Sequence, residues 1–151
     1  MGNGFASYMN SKEPERVYWL GKGTGSLDAI EDTEKKDEWN QLLLDNRKYM
    51  TIENELHVKG ADARCEARIS NASESGLSCT VTIIRDSTSE ILYQSKLLDP
   101  GYYIEEIQME SKLREGWYSC TIVWSFYEPD GYEIIGEFAE KAVVIVDDQK
   151  N

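Results

Sequence analysis

The chain has 151 residues, with 16 Lys and Arg against 28 Asp and Glu, so its formal net charge is −12 at pH 7. This length suits one domain with its own apolar core, and so negative a surface repels phosphates and excludes nucleic acid as an expected partner. No run of about 18 apolar residues occurs, so we expect no transmembrane segment.

The first part of the chain, residues 1–30, is predicted to be a flexible lead-in because Gly, Ser and charged residues dominate it. An aromatic island at residues 17–20 is expected to lie against the body of the domain. The glycines of residues 21–25 lack the spacing of a Walker phosphate loop, which ends a longer loop with Gly-Lys-Ser/Thr. We therefore expect no nucleotide site in this segment.

A single short helix is predicted at residues 31–48, with Asp32 or Thr33 as its N-cap. Acidic residues fill its first turn and basic residues its last, which complements the helix dipole. Three apolar side chains recur at three- and four-residue spacing, so one face of the helix is expected to pack on the rest of the domain. These side chains are Trp39, Leu42 and Leu43.

After Tyr49 the hydrophobic period changes from 3.6 to 2, and short alternating segments are separated by Gly, Pro, Asp and Ser. The predicted strands are residues 50–58, 63–71, 77–85, 90–97, 102–109, 117–127 and 132–146, the last interrupted around 136–140. About seven strands of this length are typical of an immunoglobulin-like antiparallel β-sandwich. We place that sandwich at residues 49–147, followed by a tail at 148–151.

All three cysteines are predicted to point into the core, because successive side chains of a strand alternate between its faces. Tyr118 and Trp124 share the inward face of their strand with Cys120, while Cys65 and Cys79 face inward from two earlier strands. Three cysteines allow three single-disulfide pairings or none, and sequence does not choose among them. Buried free thiols are the simplest alternative, since free Cys is among the most buried residue types.

The segment from Gly116 to Cys120 reads Gly-x-Tyr-x-Cys, which resembles the start of strand F in immunoglobulin-like domains. The resemblance implies that Tyr118 is a tyrosine corner and that Cys65 and Cys120 take the strand B and strand F cysteine positions, the family-like disulfide pair. Cys79 then falls near the position of the family's buried Trp. The chain departs from the family in having Arg114 before this motif.

A second resemblance covers the helix and the sandwich together. The Leu-Leu-x-Pro-Gly run at residues 97–101 and the Leu-x-x-Gly-x-Tyr run at 113–118 are similar to small, uncharacterised exported or membrane-tethered proteins of Gram-positive gut bacteria. This resemblance implies a location outside the cytoplasm, at the cell surface, and a leader or anchor ahead of Met1. It implies no activity.

The sequence gives little support for a catalytic site or a metal site. His57 is the only histidine, so any catalytic triad would have to use it, and a zinc site would need the cysteines predicted to be buried. Glu105 and Glu106 point to opposite faces of one strand and cannot flank a substrate together. We therefore predict a protein that is not an enzyme and has no catalytic residue, metal or cofactor.

Exposed aromatic rings are the remaining candidates for ligand contact. Trp117, Tyr127 and Tyr132 are predicted to lie on or beside the strand face opposite Trp124. The sequence therefore predicts a binding or interaction module whose partner, a protein or a glycan, is unidentified; an edge strand or the aromatic face would meet it. The alternative is a carbohydrate-binding module that stacks sugars on these aromatic rings.

Overall fold

The computed structural model describes residues 23–34, 37, 49–59, 62–128 and 131–147. These residues form a mainly β fold, as predicted, in one curled sheet of nine strands, and they include no helix of seven or more residues. The strands are β1 (Thr24–Ser26), β2 (Met50–Thr51), β3 (Glu55–Lys59), β4 (Arg64–Asn71), β5 (Ser78–Arg85), β6 (Ile91–Gln94), β7 (Tyr102–Gln108), β8 (Gly116–Tyr127) and β9 (Ile134–Val146).

The strand order is β1-β7-β4-β3-β9-β8-β5-β6, with β2 paired separately to β4. All pairs are antiparallel except β3 with β9, which run parallel from Glu55 opposite Val143 to Val58 opposite Val146. This parallel pair joins the two halves of the sheet. One apolar core takes buried side chains from both halves, including Cys65 and Ile69 of β4, Val81 of β5 and Ile122 and Trp124 of β8.

The strand at residues 50–58 was predicted as one element, and the structure splits it into β2 and β3. Both strands pair with β4, β2 at Ser70 and Asn71 and β3 at Arg64 and Cys65. Between these points β4 is irregular, and Arg68 has a positive φ of 49°. One straight strand cannot follow both ends of an irregular partner, so regular pairing is interrupted between β2 and β3, where the amide of Glu53 still donates to the backbone oxygen of Ala67.

The last predicted strand was expected to be interrupted around residues 136–140, but β9 is continuous from Ile134 to Val146. Its pairing with β8 shifts where Phe126 lies opposite Gly136 and Tyr127 lies opposite Ile134. The extra residue, Ile135, forms a β-bulge, which absorbs the irregularity without ending the strand.

Part of the predicted lead-in belongs to the sheet, since β1 pairs with β7 and the buried Ile30 contacts Tyr103. Most of the predicted helix, including Trp39, Leu42 and Leu43, lies outside the described residues, as do the aromatic island at 17–20 and the tail at 148–151. In the part of the chain that is described, no helix is long and apolar enough to cross a membrane.

Candidate functional site

The three cysteines are buried and free, so the Cys65–Cys120 disulfide implied by the immunoglobulin resemblance is not formed. Burial, reinforced by the negative charge of Glu53, raises the pKa of the Cys65 thiol to about 12. Burial likewise raises the pKa of Cys120 to about 11 and raises that of Cys79. Because the thiolate is the reactive form, these cysteines are poor nucleophiles and poor metal ligands near neutral pH.

Tyr118 lies at the start of β8, where its ring packs against the core. Its hydroxyl donates a hydrogen bond to the backbone oxygen of Arg114 over 2.6 Å, four residues upstream. The guanidinium of Arg85 lies 4.8 Å from the centre of the ring. These contacts fix the turn that leads into β8, so the role of Tyr118 is structural.

The three aromatic residues predicted as ligand contacts do not form one surface. Trp117 is 73% exposed and Tyr132 is 38% exposed. Tyr127 was expected to be exposed but is only 1% exposed, because the part of its strand face that carries Ser78, Thr80 and Ser125 is buried. Trp117 and Tyr127 lie ten positions apart in β8, about 33 Å in an extended strand. One ligand therefore cannot stack on both rings.

A different cluster of aromatic and aliphatic side chains lines an open groove of about 390 Å³. We call it the aromatic groove. Its lining residues come from the start of β2, from the segment before β5, and from β8 and β9: they are Tyr49, Met50, Ser75, Leu77, Trp124, Phe126 and Phe138.

Two walls of the aromatic groove come from neighbouring strands. Trp124 of β8 lies directly opposite Phe138 of β9, and residues paired in this way point to the same face of a sheet. Trp124 is fully buried, whereas Phe138 is 41% exposed. Phe126 lies opposite Gly136, which has no side chain to fill the space beside the ring. The groove therefore extends the apolar core to the surface.

The opposite wall is held by Asn71, a fully buried residue at the end of β4. Its side-chain amide donates to the backbone oxygens of Leu77 and Leu98 over 2.8 and 2.9 Å. Its carbonyl accepts from the Ser75 hydroxyl over 2.6 Å. The backbone oxygen of Tyr49 accepts from the amide of Ala72 over 2.7 Å. These bonds make this wall of the groove a preformed surface.

A carboxylate lies beside the groove. The indole Nε1 of Trp124 donates to Oε2 of Glu140 over 2.6 Å. Glu140 is half-buried and lies two residues after Phe138 on the same face of β9. The bond to Trp124 is the one that the described residues make to the Glu140 carboxylate.

The groove also borders a stretch of β9 that has one strand neighbour among the described residues. β8 pairs with nearly the whole length of β9, but β3 pairs with β9 only at Val143–Val146. Among the described residues, no strand pairs with the second edge of residues 134–142.

A second, charged cleft of about 550 Å³ lies over β3, β4 and β7. Its side chains pair with one another: His57 with Glu55 at 2.9 Å, and Arg64 with Glu106 at 3.1 Å and Asp62 at 2.7 Å. Cys65 borders the cleft but is buried and protonated. Among the described residues, no three His, Cys, Asp or Glu side chains are grouped to hold a metal ion. Arg68 of the same cleft also lies 3.8 Å from Glu53 and 3.7 Å from Glu66, so opposite charges pair across it.

The chain matches no known family model, no curated protein and no solved structure. The sequence signals for the aromatic groove were weak, because its residues come from separate segments that alternation alone does not bring together. Only Trp124 was singled out from the sequence, as a core residue.

Proposed function

We propose that this chain is a non-enzymatic interaction module with an immunoglobulin-like sandwich fold, and that it binds an apolar segment of another protein in the aromatic groove. The observation that carries the proposal is the groove itself, an aromatic surface continuous with the core. Contiguous apolar surfaces that reach solvent commonly mark protein-interaction sites or ligand-binding grooves.

Several features support an immunoglobulin-like fold for this module. Variable-type immunoglobulin domains have nine strands, and a tyrosine two residues before the second cysteine bonds to the backbone upstream. This chain has nine strands in its described part, and Tyr118 makes such a bond to Arg114. A core shared by both halves of the sheet is also what two facing layers require.

The polarity of the groove favours a protein partner over a sugar. A bound sugar needs several polar groups at fixed positions, because its hydroxyls lose water when they are buried. Among the described lining residues of the groove, polar side-chain atoms belong to Ser75, Tyr49 and Trp124. The Trp124 indole N–H is already bonded to Glu140. The Ser75 hydroxyl already donates to Asn71. Apolar side chains of a protein segment meet no such requirement.

The alternative, a carbohydrate-binding module, has one favourable observation, the exposed ring of Trp117. A single exposed ring provides one stacking surface, whereas the second ring expected to share it, Tyr127, is buried. Trp117 also lies near the opposite end of β8 from Phe126. This distance makes the two hypotheses separable by single substitutions.

We further propose that the module is the extracytoplasmic part of an exported or surface-tethered protein of a Gram-positive bacterium. The support is the resemblance of residues 97–101 and 113–118 described above. Cell fractionation with an antibody against the chain tests the compartment. Finding the protein only in the cytoplasmic fraction of its native host would contradict this part of the proposal.

The binding proposal is tested by selecting a random linear peptide library on the immobilised full chain, with a glycan array in parallel. Selected peptides are expected to lose about tenfold or more in affinity for Phe138→Ala, because a central aromatic contact is removed. Trp117→Ala is the matched control, since it also truncates an exposed ring and should leave peptide affinity unchanged. Glycan binding that is lost in Trp117→Ala would support the alternative and contradict the groove proposal.

A further inference from the structure

We infer that the charged cleft over β3, β4 and β7 binds a free dipeptide, with the ligand's ammonium group between Glu66 and Glu106 and its carboxylate between Lys59 and Arg64. The inference goes beyond the proposed function, because none of the described residues that line the cleft also lines the aromatic groove. It adds a second site, for a small zwitterion instead of an apolar protein segment.

Two pairs of like charges face each other across these strands. Lys59 of β3 lies directly opposite Arg64 of β4. Glu66 of β4 lies directly opposite Glu106 of β7. Residues placed in this way point to the same face of a sheet with their Cβ atoms about 5 Å apart, and like charges there destabilise the sheet. A bound carboxylate would relieve the pair of cations, and a bound ammonium group would relieve the pair of carboxylates.

The ion pairs of the cleft leave room for these contacts. Arg64 donates to Asp62 through Nε and to Glu106 through Nη1, and a guanidinium has a third nitrogen, Nη2, that can donate to a carboxylate. Arg68 lies 3.7 Å from Glu66, which is longer than a hydrogen bond. Exposed ion pairs contribute little to stability, so a ligand can exchange with them at little cost.

The cleft is open to solvent along the four side chains. Those of Arg64 and Glu106 are 52% and 51% exposed, and that of Glu66 is 60% exposed. Lys59 is exposed as well. The volume of about 550 Å³ lies within the range of small-molecule sites in proteins, about 300–1,000 Å³.

The register sets the distance between the two charged ends of the ligand. The Glu66–Glu106 pair lies one strand over and two residues along from the Lys59–Arg64 pair. With strands about 4.8 Å apart and residues about 3.4 Å apart along a strand, the centres of the two pairs are about 8 Å apart. An extended dipeptide spans about 7 Å, whereas a single amino acid spans about 3.5 Å and a tripeptide about 10 Å. A dipeptide therefore places both of its ends on the pairs.

The arrangement selects for a ligand that carries both charges. A cation alone is repelled by Lys59 and Arg64, and an anion alone is repelled by Glu66 and Glu106. A segment within a longer chain has neither terminal charge, so it lacks both contacts. Free dipeptides carry the two charges at the required distance.

NMR titration of the isotopically labelled full chain with Ala-Ala tests the inference, at low ionic strength because salt screens exposed charges. Ala-Ala should shift backbone amide signals of β3, β4 and β7. Its N-acetylated and C-amidated forms should each bind about tenfold more weakly, since each loses one charge-assisted contact. Alanine and tri-alanine should also bind about tenfold more weakly, because their charges are spaced wrongly.

Two substitutions match each end of the ligand to its pair. Lys59→Gln should weaken Ala-Ala about tenfold and leave the affinity of the amidated form unchanged. Glu66→Gln should weaken Ala-Ala to the same extent and leave the affinity of the acetylated form unchanged. Lys112→Gln and Glu74→Gln are matched controls, since both residues are exposed and lie outside the cleft, and Ala-Ala should bind them as it binds the unaltered chain.

The inference is overturned if Ala-Ala at millimolar concentration causes no change in β3, β4 and β7, or if the two capped forms bind as tightly as Ala-Ala. Weaker binding by only one of the capped forms would identify a site for a single charge, which also overturns it. Phe138→Ala should leave the affinity for Ala-Ala unchanged, so this result and that of the groove proposal are independent.

Discussion

Asn71→Ala provides the sharpest test of how the wall of the aromatic groove is held. Asn71 is fully buried and makes three hydrogen bonds, two to backbone oxygens and one to the Ser75 hydroxyl. A typical hydrogen bond contributes about 1 kcal/mol to folding, so the three together contribute about 3 kcal/mol. This is a large part of the stability of a small domain, about 5–15 kcal/mol.

The loss in free energy of unfolding expected for Asn71→Ala includes no further penalty for backbone oxygens left without a hydrogen-bond donor. Leu98 also accepts from the amide of Cys79 over 3.0 Å, and Leu77 also accepts from the Ser75 hydroxyl over 3.1 Å. Both oxygens keep a partner when Asn71 is truncated. We therefore expect Asn71→Ala to lower the free energy of unfolding by about 3 kcal/mol rather than by a larger amount.

Urea denaturation followed by tryptophan fluorescence measures this change, with Ser75→Ala as the matched control. Ser75→Ala removes the hydroxyl that bonds to Asn71 and Leu77 and leaves the Asn71 carbonyl without this donor, so it should cost about 1–2 kcal/mol. The two variants should have unchanged m-values if both unfold in two states. A loss below about 1 kcal/mol for Asn71→Ala, or a loss no larger than that of Ser75→Ala, would refute the assignment of Asn71 as the structural centre of this wall.

Two further predictions concern the core and the start of β8. The raised pKa values of Cys65 (about 12) and Cys120 (about 11) mean that the native thiols should not react with a disulfide reagent at pH 8, whereas three thiols should titrate after denaturation. Rapid labelling of native Cys120 would contradict its burial. Thiols of the unfolded chain ionise near the ordinary cysteine pKa of 9.0, so the unfolded state loses protons first as the pH rises. The free energy of unfolding should therefore fall as the pH rises from about 9 toward the pKa values of the folded state. Tyr118→Phe should lower the free energy of unfolding by about 1 kcal/mol by removing the bond to Arg114, and Tyr49→Phe, which alters an exposed hydroxyl, should have little effect; equal losses in the two variants would argue against the tyrosine corner.

Much of the β structure was predictable because alternation is a local property. The inward positions of Cys65, Cys79, Cys120 and Trp124 followed from side chains pointing to opposite faces of a strand, and all four are buried. The bounds of β4, β5, β7 and β8 agree with the prediction to within about two residues.

The misplaced elements depend on partners distant in sequence. β2 and β3 separate because irregular β4 pairs with both, and the three-residue β1 forms because β7 is available beside it. Alternation placed Tyr127 on the same strand face as Trp117, but it does not state whether that face is covered. The burial of Tyr127 therefore followed from the tertiary structure alone.

The sequence by itself determined a mainly β chain, strongly negative, with three cysteines and Trp124 directed inward. Only the tertiary structure brought the lining of the aromatic groove together. The aromatic groove lies where the chain passes from β4, beside β2, to β9 at Asn54, with Met50 on one side and Phe138 on the other. Strand pairing is a contact between distant segments, so periodicity within one segment cannot specify it.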